Sequence, residues 1–394
     1  MNKKSIKDVD FAGKRVLMRV DFNVPLDKSL KITDDNRIQA ALPTISYVLN
    51  RNGKLILMSH LGRPKGEKRP EFSLKPTAER LSELLKVPVK MLDDCIGGKV
   101  KQAASNMDDG IVLMLENLRF HEEETDNDPK FAKELASLGD IFVNDAFGTC
   151  HRAHASTEGV THYLESASGF LVEKEIGYFQ KVLTGAEKPF VFILGGAKVA
   201  DKIPVIENMM EKADSILIGG AMAYTFLKAK GVDIGSSRVE DKMIDTVNKI
   251  LDKAKSKGVD ILLPIDHIVT DCIETANHVN PTPDENIPVG WIGVDIGQKT
   301  IELYKERLLQ AKTIVWNGPV GIFENDKFAT GTKTLAIAIA NSGATSVIGG
   351  GDTAAAVSKF GVANKMSHIS TGGGASLEYL EGKALPGIAA LSDK

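Results

Sequence analysis

Short, continuous apolar runs, each followed by a stretch with helical spacing, recur along the chain, and this rhythm restricts the fold more than any other feature. LILMSH (55–60) precedes PTAERLSELLK (76–86), and FVFILGG (190–196) precedes VADKIPVIENMMEKA (199–213). SILIGG (215–220) precedes AMAYTFLKAKG (221–231), and SVIGG (346–350) precedes DTAAAVSKFG (352–361). Runs that are apolar on both sides of the pleat are strands covered on both faces, as in parallel sheets flanked by helices. Pro204 falls near a helix start, where proline is tolerated, and Gly231 and Gly361 fall where helix C-caps are expected.

At 394 residues the chain exceeds what one hydrophobic core usually supports, so two domains are expected. ASGFLVEKEIGYFQKVLTG (167–185) has helical spacing at Leu171, Ile176, Phe179 and Val182, then Gly185 and the turn EKP. It reads as a helix joining two α/β domains.

The two halves end their strands in different chemistry. In the first half the runs lead into Arg, His, Asp and Asn: VLMRVDFNVP (16–25), LILMSHLGRP (55–64), VLMLENLRF (112–120) and IFVNDAFGTCHR (141–152). In the second half they lead into glycine: FILGGAKVADK (192–202), ILIGGAMA (216–223), VIGGGDTAAA (347–356) and ISTGGGAS (369–376). Strand C-termini are where open α/β sheets bind ligands. One anionic ligand held by side chains and another held by backbone N–H groups fit this contrast, an arrangement that suits transfer of a phosphoryl group between them.

Composition narrows the partners. The net charge of −3 gives no global pull toward nucleic acid or an acidic membrane, so any cationic site is local. No apolar stretch approaches the roughly 20 residues needed to span a bilayer. The opening MNKKSIKDVD is charged with no apolar run behind it, so no secretory signal is expected. Cys95, Cys150 and Cys272 are widely separated and read as reduced thiols of a cytoplasmic protein rather than a disulfide framework or zinc site.

In the first half, Arg19, Asp21 and Asn23 alternate and share one side of an extended chain. Arg19 either forms an internal ion pair with Asp21 or reaches a ligand; Asp21 and Asn23, at the strand end, suit ligand contact. His60 and Arg63 follow the next run, in a turn fixed by Gly62 and Pro64. Arg119 and Arg152 end two further runs, and Arg37 follows TDDN. The planar guanidinium fork binds carboxylate and phosphate in pairs of hydrogen bonds, so these arginines read as a candidate anion site, with scattered surface charge as the alternative. Cys150–His151 is a poor nucleophile–base pair, because adjacent side chains of an extended segment point to opposite faces. His151 and His154 read as structural residues or ligand donors.

In the second half, GGAKVADK (195–202) has neither the P-loop nor the dinucleotide spacing. Glycine followed by a helix N-terminus still offers free N–H groups to a phosphate. Lys198 and Lys202 share a face if this turn is helical, and are otherwise two solvated lysines. In GGGDTAAA (349–356), Asp352 either caps the helix or faces Mg²⁺ carried by nucleotide phosphates. WNGPVGIFE (316–324) is either an ordinary turn or a loop against the nucleoside.

Together RVDFNVP, ITDDNRI, SHLGRP, LENLRF, NDAFGTCHRAHAS, LGGAKVADKI, IGGAMAYTF, WNGPVGIFE, GGGDTAAA and STGGGASLE resemble the phosphoglycerate kinase family over essentially the whole chain. The resemblance implies two Rossmann-like, three-layer α/β/α domains with mainly parallel sheets, joined by an interdomain helix and hinge. It implies an N-terminal phosphoglycerate-binding domain (1–170), a C-terminal nucleotide-binding domain (171–379), and a tail (380–394) that returns to the first. The implied reaction is reversible phosphoryl transfer between 1,3-bisphosphoglycerate and ADP, giving 3-phosphoglycerate and ATP, with Mg²⁺, in line and on domain closure. By that resemblance Asp21, Asn23, Arg37, His60, Arg63, Arg119 and Arg152 hold phosphoglycerate. Lys202, Gly293, Glu324, Gly350, Gly351, Asp352 and Thr353 hold the nucleotide, and Asp352 serves the metal. Arg37 and Lys198 flank the transferring group, with N–H groups at Gly351 and Gly373 around it. A cytoplasmic monomer is implied. Two other readings compete: a hinge-binding protein for a phosphorylated metabolite, and a nicotinamide dehydrogenase, which lacks its fingerprint here.

Overall fold

The computed structural model describes residues 2–108 and 110–394. The chain divides into two compact units: residues 1–177 with 384–394, and residues 178–383.

The first unit is built on a parallel six-stranded sheet. Its strands are β1 (Arg15–Val20), β2 (Lys54–Met58), β3 (Val89–Met91), β4 (Val112–Met114), β5 (Ile141–Asp145) and β6 (Ser166–Ser168). They lie in the order β3-β4-β2-β1-β5-β6. Central β1 pairs with both β2 and β5, Val16 standing opposite Leu55 and Ile141. Alternate residues of the central strands enter different cores. Val16, Met18, Leu55 and Leu57 pack with Ile38, Ile45 and Leu81 from the helices on one face. Leu17, Ile56 and Phe142 pack with Val100, Phe131 and Leu135 on the other. Burial on both faces explains why these strands read as unbroken apolar runs.

The last eleven residues belong to this unit. Asn144 Nδ2 donates to Gly387 O (2.8 Å), and Gly387 N donates to Cys150 O (2.9 Å). Lys3 pairs with Asp393 at 2.8 Å, and Ser166 N donates to Ser392 Oγ (3.0 Å).

The second unit repeats the plan with β7 (Phe190–Leu194), β8 (Ser215–Ile218) and β9 (Asp260–Leu262) on one side. An antiparallel group follows in the chain, made of β10 (His267–Thr270), β11 (Val279–Pro281) and β12 (Ile292–Ile296) in the order β11-β10-β12. Strands β13 (Thr313–Asn317), β14 (Thr345–Gly349) and β15 (His368–Ile369) complete the parallel sheet, ordered β15-β14-β13-β7-β8-β9. Trp316, fully buried, is the largest side chain of its core.

The joining helix forms as Phe170–Gly185. Its buried stripe is Val172, Ile176, Phe179 and Val182, with Val172 in the place the spacing gave to Leu171. Gly231 and Gly361 follow their helices at φ +81° and +69°, the left-handed stop that glycine accepts without Cβ strain.

The helix expected over 199–213 is instead a 3₁₀ turn, Ala200–Lys202, followed by an α-helix, Ile203–Met209. Proline tolerates only the first helical turn, so Pro204 fixes the start at Ile203 and leaves Lys198 outside it. Lys198 therefore sits on an exposed loop and does not share a helical face with Lys202.

Candidate active site

Parallel pairing brings the C-terminal ends of each six-stranded sheet to one edge. In the first unit, Arg19 lies at the end of β1 and is completely buried. Its Nε donates to Ser156 Oγ (2.9 Å), and its Nη2 meets His60 Nδ1 at 3.0 Å. Ser156 passes the contact on: its hydroxyl donates to Glu124 Oε1 (2.6 Å) and its N–H to Oε2 (2.9 Å). Glu124 is the leading anion acting on Arg19, ahead of Asp21. The internal partner sought for Arg19 thus comes chiefly from a distant segment, because Asp21 is engaged elsewhere. Asp21 forms its ion pair with Arg37 and stands 4.0 Å from His60 Nδ1.

The turn after β2 is clasped from two sides. Gly62 N donates to Asn23 Oδ1 (2.9 Å), while Arg119 Nη1 donates to Gly62 O (2.8 Å). Gly62 has φ +61°, and a Cβ there would lie 2.4 Å from the Phe72 ring, so only glycine fits. The seven residues proposed for the first half therefore meet in one unit. Asp21, Asn23, Arg37 and His60 gather beyond β1 and β2. Arg63, Arg119 and Arg152 line an adjoining cavity of about 530 Å³, with Lys65 and His121, and with Glu122 and Asp126.

This edge is strongly electropositive. Burial, and then repulsion from Arg19 and Arg152, bring the Arg119 guanidinium down to about 10. His60 is held well below the ordinary histidine range by burial and by Arg19, Arg119 and Arg37. His154 falls to about 3 from burial and the same kind of neighbours. Arg119 Nε is buried with no hydrogen-bond partner, a donor suited to an anionic oxygen. A larger hollow of about 810 Å³ lies along Ser29–Asn36 and Lys75–Glu83. Its Arg80 is already paired with Asp35 and Glu83, and Asp34 and Glu79 offset Lys31 and Lys75, so it does not suit an anion.

In the second unit the strand ends are held by backbone. Gly195 N donates to Asn317 O (3.0 Å), Gly196 N to Pro319 O (3.2 Å) and Gly220 N to Val320 O (3.0 Å). A Cβ on Gly195 would lie 2.1 Å from Pro319 O, and one on Gly318 would lie 2.3 Å from Gly195 O. Lys202 Nζ donates to Asn317 Oδ1, and Gly318 N donates to Thr353 Oγ1 (2.7 Å). The WNGP turn thus bridges the GGAK loop and the helix Gly351–Lys359.

Gly350 is the N-cap of that helix at φ +90°, so Asp352 lies inside the first turn, exposed, and does not cap it. Gly373 opens the helix Gly373–Leu380 behind N-cap Gly372. Gly293 lies on β12 of the antiparallel sheet, where a Cβ would meet the Tyr224 hydroxyl at 2.1 Å. Glu324 is exposed; its carbonyl accepts from Lys359 Nζ (3.3 Å). The N–H groups expected to be free after GGAK are partly taken: Val199 N and Ala200 N donate to the Glu240 carboxylate at 2.8 and 3.3 Å.

Sequence reading missed Glu124, Ser156, Asn317 and Glu240. Glu124 sits in HEEETD among residues that look like surface acids, and Ser156 has no signal beyond its place in NDAFGTCHRAHAS. The cysteines are free, as expected. Asp94, Cys95 and His121 offer ligand atoms within 4.8 Å of one another. However, His121 Nε2 is hydrogen-bonded to Asp94 at 2.7 Å and burial pushes the Cys95 thiol well up, so the contact is already satisfied as it stands. Cys150 is buried, and burial raises its thiol to about 12, which removes it as a nucleophile.

Cationic side chains at one set of strand ends and glycine-opened helices at another are the equipment of a two-domain phosphotransferase. The chain belongs to the phosphoglycerate kinase family, whose model matches residues 6–383. It is 58% identical to the phosphoglycerate kinase of Pelodictyon phaeoclathratiforme and 57% identical to that of Chlorobaculum tepidum, each alignment covering 100% of both chains. Among solved structures it resembles phosphoglycerate kinase from Coxiella burnetii, with a TM-score of 0.88, 40% identity and 98% of each chain covered. The enzyme from Pyrococcus horikoshii gives 0.85 and 34%, again over 98% of each chain.

Proposed function

We propose that this kinase transfers a phosphoryl group reversibly between 1,3-bisphosphoglycerate and ADP, with the phosphoglycerate on the first unit and the nucleotide on the second. The observation that carries the assignment is the cavity formed by Arg63, Arg119 and Arg152, beside the buried and unpartnered Arg119 Nε, on a chain of this family.

Asp21, Asn23, Arg37 and His60 orient the glycerate end, and the three arginines of the cavity neutralise its phosphate. Lys202, Gly293, Glu324 and Gly350–Thr353 receive the nucleotide. The exposed Asp352 carboxylate offers the hard oxygen donor that a nucleotide-bound Mg²⁺ accepts, and the ion would neutralise phosphate charge there. Arg37 and Lys198 stabilise the charge that spreads over the transferring group, with the N–H groups of Gly351 and Gly373.

No general base is required. In the direction of ATP consumption the acceptor is a carboxylate, already ionised near neutral pH, so its oxygen attacks without losing a proton. The residues then act by positioning, by charge and by excluding water. No helix among the described residues is long and apolar enough to cross a membrane; we further propose a cytoplasmic monomer. A coupled assay with 3-phosphoglycerate, ATP and Mg²⁺ tests the reading, and a folded enzyme without turnover would sink it. Calorimetry excludes the hinge-binding alternative if MgADP binds with stoichiometry one.

A further inference from the structure

We propose that Arg19 is a positioning residue: it locks His60 as a neutral imidazole carrying its proton on Nε2, so that the ring donates a hydrogen bond to phosphoglycerate throughout the working pH range. This rests on the function proposed above. A guanidinium has donors and no acceptor, and it does not deprotonate in proteins. The 3.0 Å contact between Arg19 Nη2 and His60 Nδ1 is therefore a hydrogen bond only if Nδ1 accepts. An accepting Nδ1 carries no proton, which excludes both the imidazolium and the Nδ1–H tautomer. The remaining nitrogen, Nε2, holds the proton and acts as donor.

The charges around the ring act in the same direction. Arg19, Arg37, Arg119 and His154 all oppose protonation of His60, and Asp21, 4.0 Å away on the other side of the balance, is itself paired with Arg37. Arg19 is in turn held from behind. Its Nε reaches Ser156 Oγ, and Ser156 gives both its hydroxyl and its N–H to Glu124, which is fully buried. The planar fork of arginine reaches Ser156 and His60 together; a lysine ammonium is a single point and does not reproduce that geometry. The deeply buried ion pair therefore has a use beyond stability: it sets which histidine nitrogen faces the substrate as a donor.

The wild-type enzyme, labelled with ¹⁵N-histidine and assigned through His60→Gln, gives the direct measurement. The expected spectrum shows His60 as the Nε2–H tautomer, unchanged between about pH 5.5 and pH 8.5, well below and above the ordinary histidine value of about 6.5. A titrating ring or an Nδ1–H tautomer would overturn the proposal. Kinetics of Arg19→Lys give the second measurement. KM for 3-phosphoglycerate is expected to rise on the order of 10-fold, the loss of one hydrogen bond to a charged ligand. The rise is expected to persist from about pH 5.5 to about pH 8.5, because burial and the charges of Arg37 and Arg119 still keep the ring neutral while its proton is free to move to Nδ1; KM for ATP stays within a factor of about two. A folded Arg19→Lys enzyme with unchanged KM for 3-phosphoglycerate and a His60 spectrum still wholly Nε2–H would also overturn it. If Arg19→Lys does not fold, the wild-type spectrum decides alone. Absence of any turnover in the wild-type enzyme would instead remove the functional reading, leaving the tautomer result to stand or fall separately.

Discussion

Beyond β1 the first unit spends side chains, whereas beyond β7 the second brings stretches of backbone together. Arg19, Asp21, Arg37, His60 and Glu124 are joined by charge and hydrogen bonds on one side. On the other, Gly195, Gly220 and Gly318 approach the main chain more closely than any Cβ permits. The two constructions fail differently. A side-chain site loses function when a charged group is removed, because its partners are left buried and uncompensated. A backbone site loses function when an atom is added.

The largest effect tests this contrast at the proposed reacting group. Arg37→Ala and Lys198→Ala are each expected to lower kcat by about 10²–10³, the cost of removing one donor that stabilises transition-state charge. ATP binding by calorimetry is expected to change far less. They differ in one respect. Arg37→Ala also leaves Asp21 without its ion-pair partner and weakens 3-phosphoglycerate binding, whereas Lys198 is an exposed loop residue. A kcat within a few-fold of wild type would remove the role given to that residue.

Glycine substitutions sharpen the comparison from the other side. Gly195→Ala forces a Cβ to within 2.1 Å of Pro319 O and is expected to destabilise the second unit by roughly 2–4 kcal/mol, in the range of severe packing changes. Gly351→Ala and Gly373→Ala meet nothing within 4 Å. Their melting temperatures are expected to match wild type within about 2 °C, while KM for ATP is expected to rise, because a methyl group stands where the proposed site places a phosphate. Equal loss of stability at all three positions would erase the distinction between glycines that pack and glycines that bind.

In each unit a carboxyl group raised by burial lies against the start of a helix, Asp145 in the first and Asp295 in the second. Asp145 Oδ1 accepts from Leu171 N (2.9 Å) and Val172 N (3.4 Å), and Asp295 Oδ2 accepts from Gly331 N (2.7 Å). Burial outweighs those bonds and raises both groups from the ordinary 3.8 to about 7. A carboxyl group raised in the folded state favours folding most below its unfolded value. That contribution is lost as pH rises through about 7. Asp145→Asn and Asp295→Asn keep an accepting oxygen and cannot ionise. Relative to wild type, each is expected to gain stability progressively between about pH 4 and pH 7, at about 1.4 kcal/mol per unit of displacement. Urea melts across that range measure it; parallel curves for wild type and variant would show an ordinary carboxyl group.

The parts of this molecule visible from its sequence are those with a local cause. Strands buried on both faces had to be apolar runs, and helices had to stop at Gly231 and Gly361, so both were legible. Pro204 also carried its information locally, yet the apolar spacing around it suggested a longer helix than a proline in the first turn allows. Non-local polar partners were not legible. Arg19 had an obvious candidate two residues away in Asp21, and its leading anion proved to be Glu124, 105 positions further along the chain. The same holds for Glu240, which takes the N–H groups of Val199 and Ala200. Such partners leave no periodic signature, because a single buried charge needs only one counterpart from any segment that the sheet brings near.

The smallest expected effect concerns Cys150, which stands between the side-chain network and the returning tail. Its thiol is buried, donates weakly to Ala146 O (3.4 Å), and has been pushed up to about 12 by burial. A thiol that stays protonated is neither a nucleophile nor a target for rapid oxidation. Cys150→Ala removes one buried sulfur beside Asn144 and Gly387, while Asn144 keeps its bond to Gly387 O and Gly387 keeps its bond to Cys150 O, a backbone atom the substitution retains. The expected cost is about 1 kcal/mol of stability, typical of a small cavity, with kcat and both KM values unchanged within about two-fold. A large loss of activity without loss of stability would mean that the side-chain unit uses this thiol in turnover, and the division between a network of charged side chains and an inert packed tail would have to be redrawn.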